Sequence, residues 1–258
     1  MKEVLLKSKK GQVTIFVIIA LVIVVAGVLI YFFYPGLTST ATSLDENPRS
    51  YIQNCIENNL EENVMIVGLQ GGSLEPSSYI IYGGNTVEYL CYTNENYKTC
   101  VPQRAALVSH IEKELKDALA LRVTECFSQM RSDYTSRGYT VVLDSDKFNV
   151  NLLPDRVILH SNSTLTLTRA STERYDSFDV IVNNNLYELA SIARNIVSWE
   201  EQYGDSDPAY FMYYYPHLKI EKKLQSDGSK IYIITERETG NIFQFAVRSV
   251  VWPLGASS

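Results

Sequence analysis

From Val13 to Tyr34 no position of this chain carries a charge. As a helix these 22 residues would cover about 33 Å, slightly more than a hydrocarbon core of about 30 Å. A secretory leader has a shorter apolar stretch, about 7 to 15 residues, with a small-residue cleavage site after it. This run ends instead in Tyr31, Phe32, Phe33 and Tyr34, the composition of an interfacial aromatic belt. The pattern predicts a transmembrane helix over 13–34. Pro35 and Gly36 then interrupt regular structure, and 35–46 read as a small, polar, flexible tether.

Beyond the tether the apolar positions take up helical and strand periods in turn. Asn47-Pro48 supplies a cap and a first helical residue. Ile52, Cys55, Ile56, Leu60, Val64 and Val67 come next at helical spacing, up to Gly71-Gly72. Tyr79 to Tyr82 and Thr86 to Tyr92, joined through Gly83-Gly84-Asn85, predict a hairpin. A second helix is expected over Arg104 to Tyr134, with Leu107, Ile111, Leu115, Ala118, Arg122 and Cys126 as its stripe. From Tyr139 the period drops to two, through Val141 and Leu143, Phe148 to Leu152, Val157 and Leu159, Leu165 and Leu167, and Phe178 to Val182. Leu186 to Tyr203 predicts a third helix, and Asp205 to Pro216 a loop. A closing meander is expected over His217 to Gln225, Lys230 to Glu238 and Ile242 to Trp252, turning at Asp227-Gly228 and Gly240-Asn241. The fold class expected is α+β: one amino-terminal transmembrane helix, then an extracytoplasmic head of about three helices and mainly antiparallel strands over 47–253, as one domain or two packed lobes.

Charge gives that arrangement a direction. Residues 1–34 hold Lys2, Lys7, Lys9 and Lys10 against Glu3, all ahead of the apolar run. The positive-inside rule makes 1–12 a cytoplasmic basic segment and sends the rest outside. The chain beyond residue 34 has 19 basic and 28 acidic side chains, a net of −9. Such a region repels phosphate backbones and contains no basic patch, so nucleic acid is not an expected partner.

Four cysteines, Cys55, Cys91, Cys100 and Cys126, fall in the expected outer region. An even number there points to disulfides, with three connectivities open. The short spacing favours Cys91 with Cys100, which leaves Cys55 with Cys126; four buried thiols are the alternative. No pair has C-x-x-C spacing and His110, His160 and His217 are each isolated, so neither a metal nor a cofactor is implied. No nucleophile or phosphate-loop motif occurs, and no catalytic residue is nominated.

Two features remain. Tyr210, Phe211, Met212, Tyr213, Tyr214, Tyr215 and Pro216 form an aromatic run where a loop is expected. Aromatic loops stack on sugars, anchor partner proteins or fold back over a core, so Tyr210, Phe211, Tyr213, Tyr214 and Tyr215 are the candidate partner contacts. Asn162-Ser163-Thr164 is an N-glycosylation tripeptide, with Asn162 the acceptor.

Lys9-Lys10-Gly11-Gln12 ahead of the apolar run resembles the class III signal peptide of archaeal type IV pilin-like proteins. The resemblance covers about residues 7–34 and implies peptidase cleavage between Gly11 and Gln12, leaving the helix on the product. The chain departs from the usual pattern at the fifth mature position, where Phe16 replaces a glutamate, and at the Pro35-Gly36 break. Gly68 to Gly72 (GLQGG) after Cys55, and Phe243 to Arg248 (FQFAVR), resemble uncharacterised membrane-anchored archaeal proteins of the same kind, a surface location without an implied activity. The expectation is a non-enzymatic, single-pass cell-surface protein held in the lipid bilayer through 13–34. It would bind a surface protein or glycan, or assemble with its own copies as a pilin-like subunit. The alternative is a membrane-tethered hydrolase acting on an envelope polymer.

Overall fold

The computed structural model describes residues 17–25, 47–145 and 147–251. The chain divides into two compact units between Glu46 and Asn47. In the first, residues 17–25 form helix α1. Among the described residues no helix is long and apolar enough to cross a membrane. That corrects the expected fold class, in which a helix over 13–34 crossed the bilayer. An apolar run sets the composition of a segment and does not by itself establish a membrane-spanning helix. The remainder of 13–34, the basic segment 1–12 with Gly11 and Gln12, and the tether 35–46 lie outside the described residues.

The second unit is α+β. Its helices are α2 (Pro48–Leu69), α3 (Leu107–Ser136), α4 (Leu186–Tyr203) and α5 (Pro208–Tyr214). Its strands are β1 (Tyr79–Tyr82), β2 (Asn85–Tyr92), β3 (Val101–Pro102), β4 (Thr140–Asp144), β5 (Phe148–Leu153), β6 (Arg156–Ser161), β7 (Thr164–Thr168), β8 (Thr172–Tyr175), β9 (Phe178–Asn183), β10 (Leu218–Leu224), β11 (Ser229–Glu236) and β12 (Ile242–Arg248). The main sheet runs β1-β2-β12-β11-β10, with β3 on β2. Two three-stranded sheets, β4-β7-β8 and β5-β6-β9, hold the other described strands. Pairing between these strands is antiparallel throughout except for β12 on β2. Two segments that distant in sequence meet in parallel because the whole α/β middle of the chain returns the strand across the sheet.

One large core joins most of these elements, and a second, smaller cluster of Val87, Tyr89, Ile231 and Ala246 packs with β1. Ile52, Ile56, Leu60 and Val64 of α2 meet Ile111, Leu115 and Leu119 of α3, the inner faces of β5, β6 and β9, and Phe243 and Phe245 of β12. The α3 stripe differs from its expected form. Leu119 and Val123 are buried, Ala118 is exposed, and Arg122 lies at the edge. At 3.6 residues per turn a step of four drifts by about 40°, so the buried face winds around α3 and brings Leu119 and Val123 inward in place of Ala118 and Arg122. Arg122 uses its edge position to donate from Nη2 to the Cys55 carbonyl at 3.0 Å.

The expected loop Asp205 to Pro216 also needs correction, because α5 occupies its centre. Asp207 caps it, accepting from the Ala209 N–H at 2.9 Å, and Pro208 opens it. This is the device that starts α2, where Asn47 accepts from the Arg49 N–H at 2.9 Å ahead of Pro48. Strand β8, Thr172–Tyr175, has the pattern of an exposed edge and no apolar alternation to announce it. After β12 the chain turns onto the 93–98 loop, where the Val250 N–H donates to the Lys98 carbonyl at 2.8 Å.

Candidate partner-binding site

Helix α4 presents two faces. Leu189, Ala193, Ile196 and Val197 go into the core. Asn195, Ser198 and Trp199, spaced i, i+3, i+4, share another face and meet α5 there. Short α5 turns Phe211 inward, only 3% exposed, and leaves Tyr210, Tyr213 and Tyr214 at the surface. Met212 and Tyr215 lie half-buried against the core. The Trp199 ring lies 4.9 Å from Tyr210 and 5.5 Å from Tyr203, and Tyr210 lies 5.0 Å from Tyr214. Trp199, Tyr210, Phe211, Tyr214 and Tyr215, together with Asn195 and Ser198, line an open cleft of about 360 Å³. No charged side chain lines it. The cleft offers ring faces, phenol hydroxyls, one amide and one serine hydroxyl. Tyr213, 81% exposed, stands outside it, its ring 5.2 Å from Tyr214. Of the five aromatic contacts expected, the structure brings four into the cleft.

The cleft's other wall was not legible in sequence. Trp199, Asn195 and Ser198 sit on a helix whose apolar stripe explains the pattern without them. The only signal was a tryptophan off that stripe, a short distance before an aromatic run.

At the carboxyl end of the same helix lies a buried ionic group. Lys230 of β11 donates from Nζ to Glu200 Oε2 at 2.8 Å, to Asp205 Oδ1 at 2.9 Å and to the Gly204 carbonyl at 2.6 Å. Tyr232 donates its hydroxyl to Glu200 Oε1. Lys222 donates to Asp205 and to the Ser206 carbonyl, at 3.0 and 2.9 Å. Burial holds the Glu200 carboxyl above its ordinary range, and bonds from Lys230 and Tyr232 offset part of that. Burial, reinforced by Glu200, pushes the Tyr232 phenol far up, so it stays a proton donor. Every charge here has an opposite partner, and the arrangement locks α4 to the sheet. An acid on the buried stripe of α4 was its only mark in the sequence.

A third group has the residue types a hydrolase would use. Ser73 Oγ lies 2.8 Å from His110 Nε2 and donates to Glu88 Oε2 at 2.6 Å. Arg104 Nη2 holds Glu88 Oε1 at 2.7 Å. Burial, with the nearby Arg104 charge, lowers the His110 pKa, leaving a neutral ring. Since the serine proton goes to Glu88, the His110 Nε2–H donates to Ser73. The serine is 2% exposed, and the bonds tie the turn after α2 to β2 and α3.

The four cysteines are all bonded. Cys55 joins Cys126, linking α2 to α3 with Cα atoms 6.0 Å apart, and Cys91 joins Cys100, with Cα atoms 5.3 Å apart. Two disulfides are compatible with an extracellular protein. Among the described residues no group of three His, Cys, Asp or Glu side chains could hold a metal ion. Asn162 is exposed in the link between β6 and β7. Comparison with protein-family models, with curated proteins and with solved structures finds no match. The fold and site therefore define a class in structural terms alone: a disulfide-stapled α+β unit with an uncharged aromatic cleft.

Proposed function

We propose that residues 47–251 form an extracytoplasmic, non-enzymatic binding module that takes a neutral glycan in the cleft between α4 and α5. The observation that carries this reading is the cleft's chemistry: ring faces beside amide and hydroxyl groups, with no charge among the lining side chains. Sugars present C–H faces that lie against aromatic rings and hydroxyls that bond to amides and phenols. A volume of about 360 Å³ falls within the usual range of small-ligand sites. An acidic or basic peptide would need an opposite charge that the cleft lining lacks.

The test is titration with neutral oligosaccharides, followed by calorimetry and by tryptophan fluorescence. Tyr214→Ala and Tyr210→Ala should each weaken binding about tenfold, equivalent to about 1.4 kcal/mol, with the unfolding midpoint unchanged. Binding that is absent from every neutral glycan, or indifferent to both substitutions, sinks the reading.

The same proposal keeps the Gly11–Gln12 junction as a processing site, in line with its resemblance to a class III signal. Amino-terminal mass analysis of protein from its native cells decides it. A mature chain beginning at Gln12 supports the cut, and an intact Met1 rejects it.

A further inference from the structure

We propose that Asn162 carries an N-linked glycan. Asn162-Ser163-Thr164 is the only Asn-x-Ser/Thr tripeptide in the chain. Tripeptides of this kind often fall where the acceptor is buried or held in a ladder. Here the fold separates the three residues by function. Asn162 is exposed in the irregular link between β6 and β7. Ser163 points inward, 1% exposed, with its hydroxyl 2.7 Å from that of Ser161. Thr164 opens β7 half-buried.

The acceptor amide is also oriented. Asn162 Oδ1 lies 3.0 Å from His160 Nε2, and His160 Nδ1 lies 2.5 Å from Asp179 Oδ1. His160 donates from both ring nitrogens, because its two partners are a carboxylate and a carbonyl oxygen. Bonds to Asp179 first, and then to Asn162, raise the His160 pKa and favour that doubly protonated ring. The carboxamide is thus held by its oxygen. Its Nδ2 has no protein partner among the described residues, and it is the atom that glycosylation uses.

The reaction requires a sugar activated on a lipid-linked phosphate or diphosphate. Nδ2 attacks the anomeric carbon, forming an N–C bond. The C–O bond to phosphate breaks, the phosphate leaves with the electron pair, and Nδ2 gives up a proton. No oxidant or reductant is needed. The chemistry belongs to the compartment that also forms the two disulfides. It stands apart from the glycan-binding cleft, so either inference can fail without the other.

Peptide mapping by mass spectrometry of protein from native cells tests it. The peptide spanning Asn162 should be heavier by sugar residues and lose them in Asn162→Gln and in Thr164→Ala. Thr164→Ser should keep the sugar, because it retains the hydroxyl at the third position. Thermal unfolding of each variant checks that the fold survives. A bare Asn162 peptide in the native protein overturns the inference, as does a sugar that persists in Thr164→Ala.

Discussion

Lys230 Nζ lies 2.8 Å from Glu200 Oε2, with the lysine side chain 10% exposed and the glutamate fully enclosed. The pair joins the end of α4 to β11. Removing one member strands the other charge away from water, which costs about 3 to 5 kcal/mol. Lys230→Met should therefore lower stability by about that much in urea unfolding. Glu200→Gln should cost less, because Lys230 keeps Asp205 and the Gly204 carbonyl as acceptors. Equal losses would show that the pair is not what holds the helix end.

The two disulfides close very different loops. Cys55 and Cys126 are 71 residues apart, and Cys91 and Cys100 are nine apart. Chain-entropy reasoning puts the longer bridge at about 4 kcal/mol and the shorter at about 3. Paired Cys→Ala replacements, compared by denaturant midpoint, should show the larger loss for Cys55 with Cys126. The reverse order would mean that the 93–100 loop, which the residues after β12 lean on, matters through its contacts rather than its closure.

Helix α5 separates packing from contact. Phe211 is 3% exposed, and Phe211→Ala should cost about 3 to 5 kcal/mol. Tyr213 is 81% exposed and outside the cleft, so Tyr213→Ala should stay within about 0.5 kcal/mol of wild type and leave glycan affinity unchanged. A large stability loss at Tyr213 would contradict the described orientation of the helix.

Gly204 and Gly240 both have a positive φ, +77° and +76°, but differ in space. A Cβ on Gly204 would come within 2.1 Å of Val250 Cγ2, whereas one on Gly240 meets nothing within 4 Å. The backbone penalty alone is about 1 to 2 kcal/mol. Gly240→Ala should cost that, and Gly204→Ala about 1 to 3 kcal/mol more through overpacking. Thermal unfolding of the two variants compares them directly.

The histidines should titrate in opposite directions. Bonds to Asp179 and Asn162 raise the His160 pKa above 6.5, and burial lowers that of His110 below it. His160 therefore contributes stability present below pH 6.5 and lost as pH rises through its folded pKa. His110 contributes stability present above pH 6.5 and lost as pH falls through its folded pKa. Histidine NMR titration should show both shifts, and Asp179→Asn should return His160 toward its ordinary value. A His160 shift unmoved by Asp179→Asn would assign the effect elsewhere.

Much of the second unit was readable from spacing. Asn47-Pro48 marked the start of α2, Asp227-Gly228 a turn between β10 and β11, and the alternation from Val141 to Val182 a series of strands. Helix α5 was missed although Asp207-Pro208 repeats the Asn47-Pro48 signal, because a seven-residue helix with aromatics on several sides shows no stripe. Strand β8 was missed because an exposed edge needs no apolar face.

By itself the sequence determined which segments could be buried, since period and burial come from the geometry of helix and strand. It also determined the −9 charge beyond residue 34 and the presence of four cysteines, which are matters of composition. Only the tertiary structure decided that β12 lies parallel to β2, that Lys230 faces Glu200, and that Trp199 joins the tyrosines of α5 in one cleft. Among the described residues it shows no helix long and apolar enough to cross a membrane, where an apolar run had predicted a span. Pairings across many residues depend on how whole elements pack, and no local pattern carries that information.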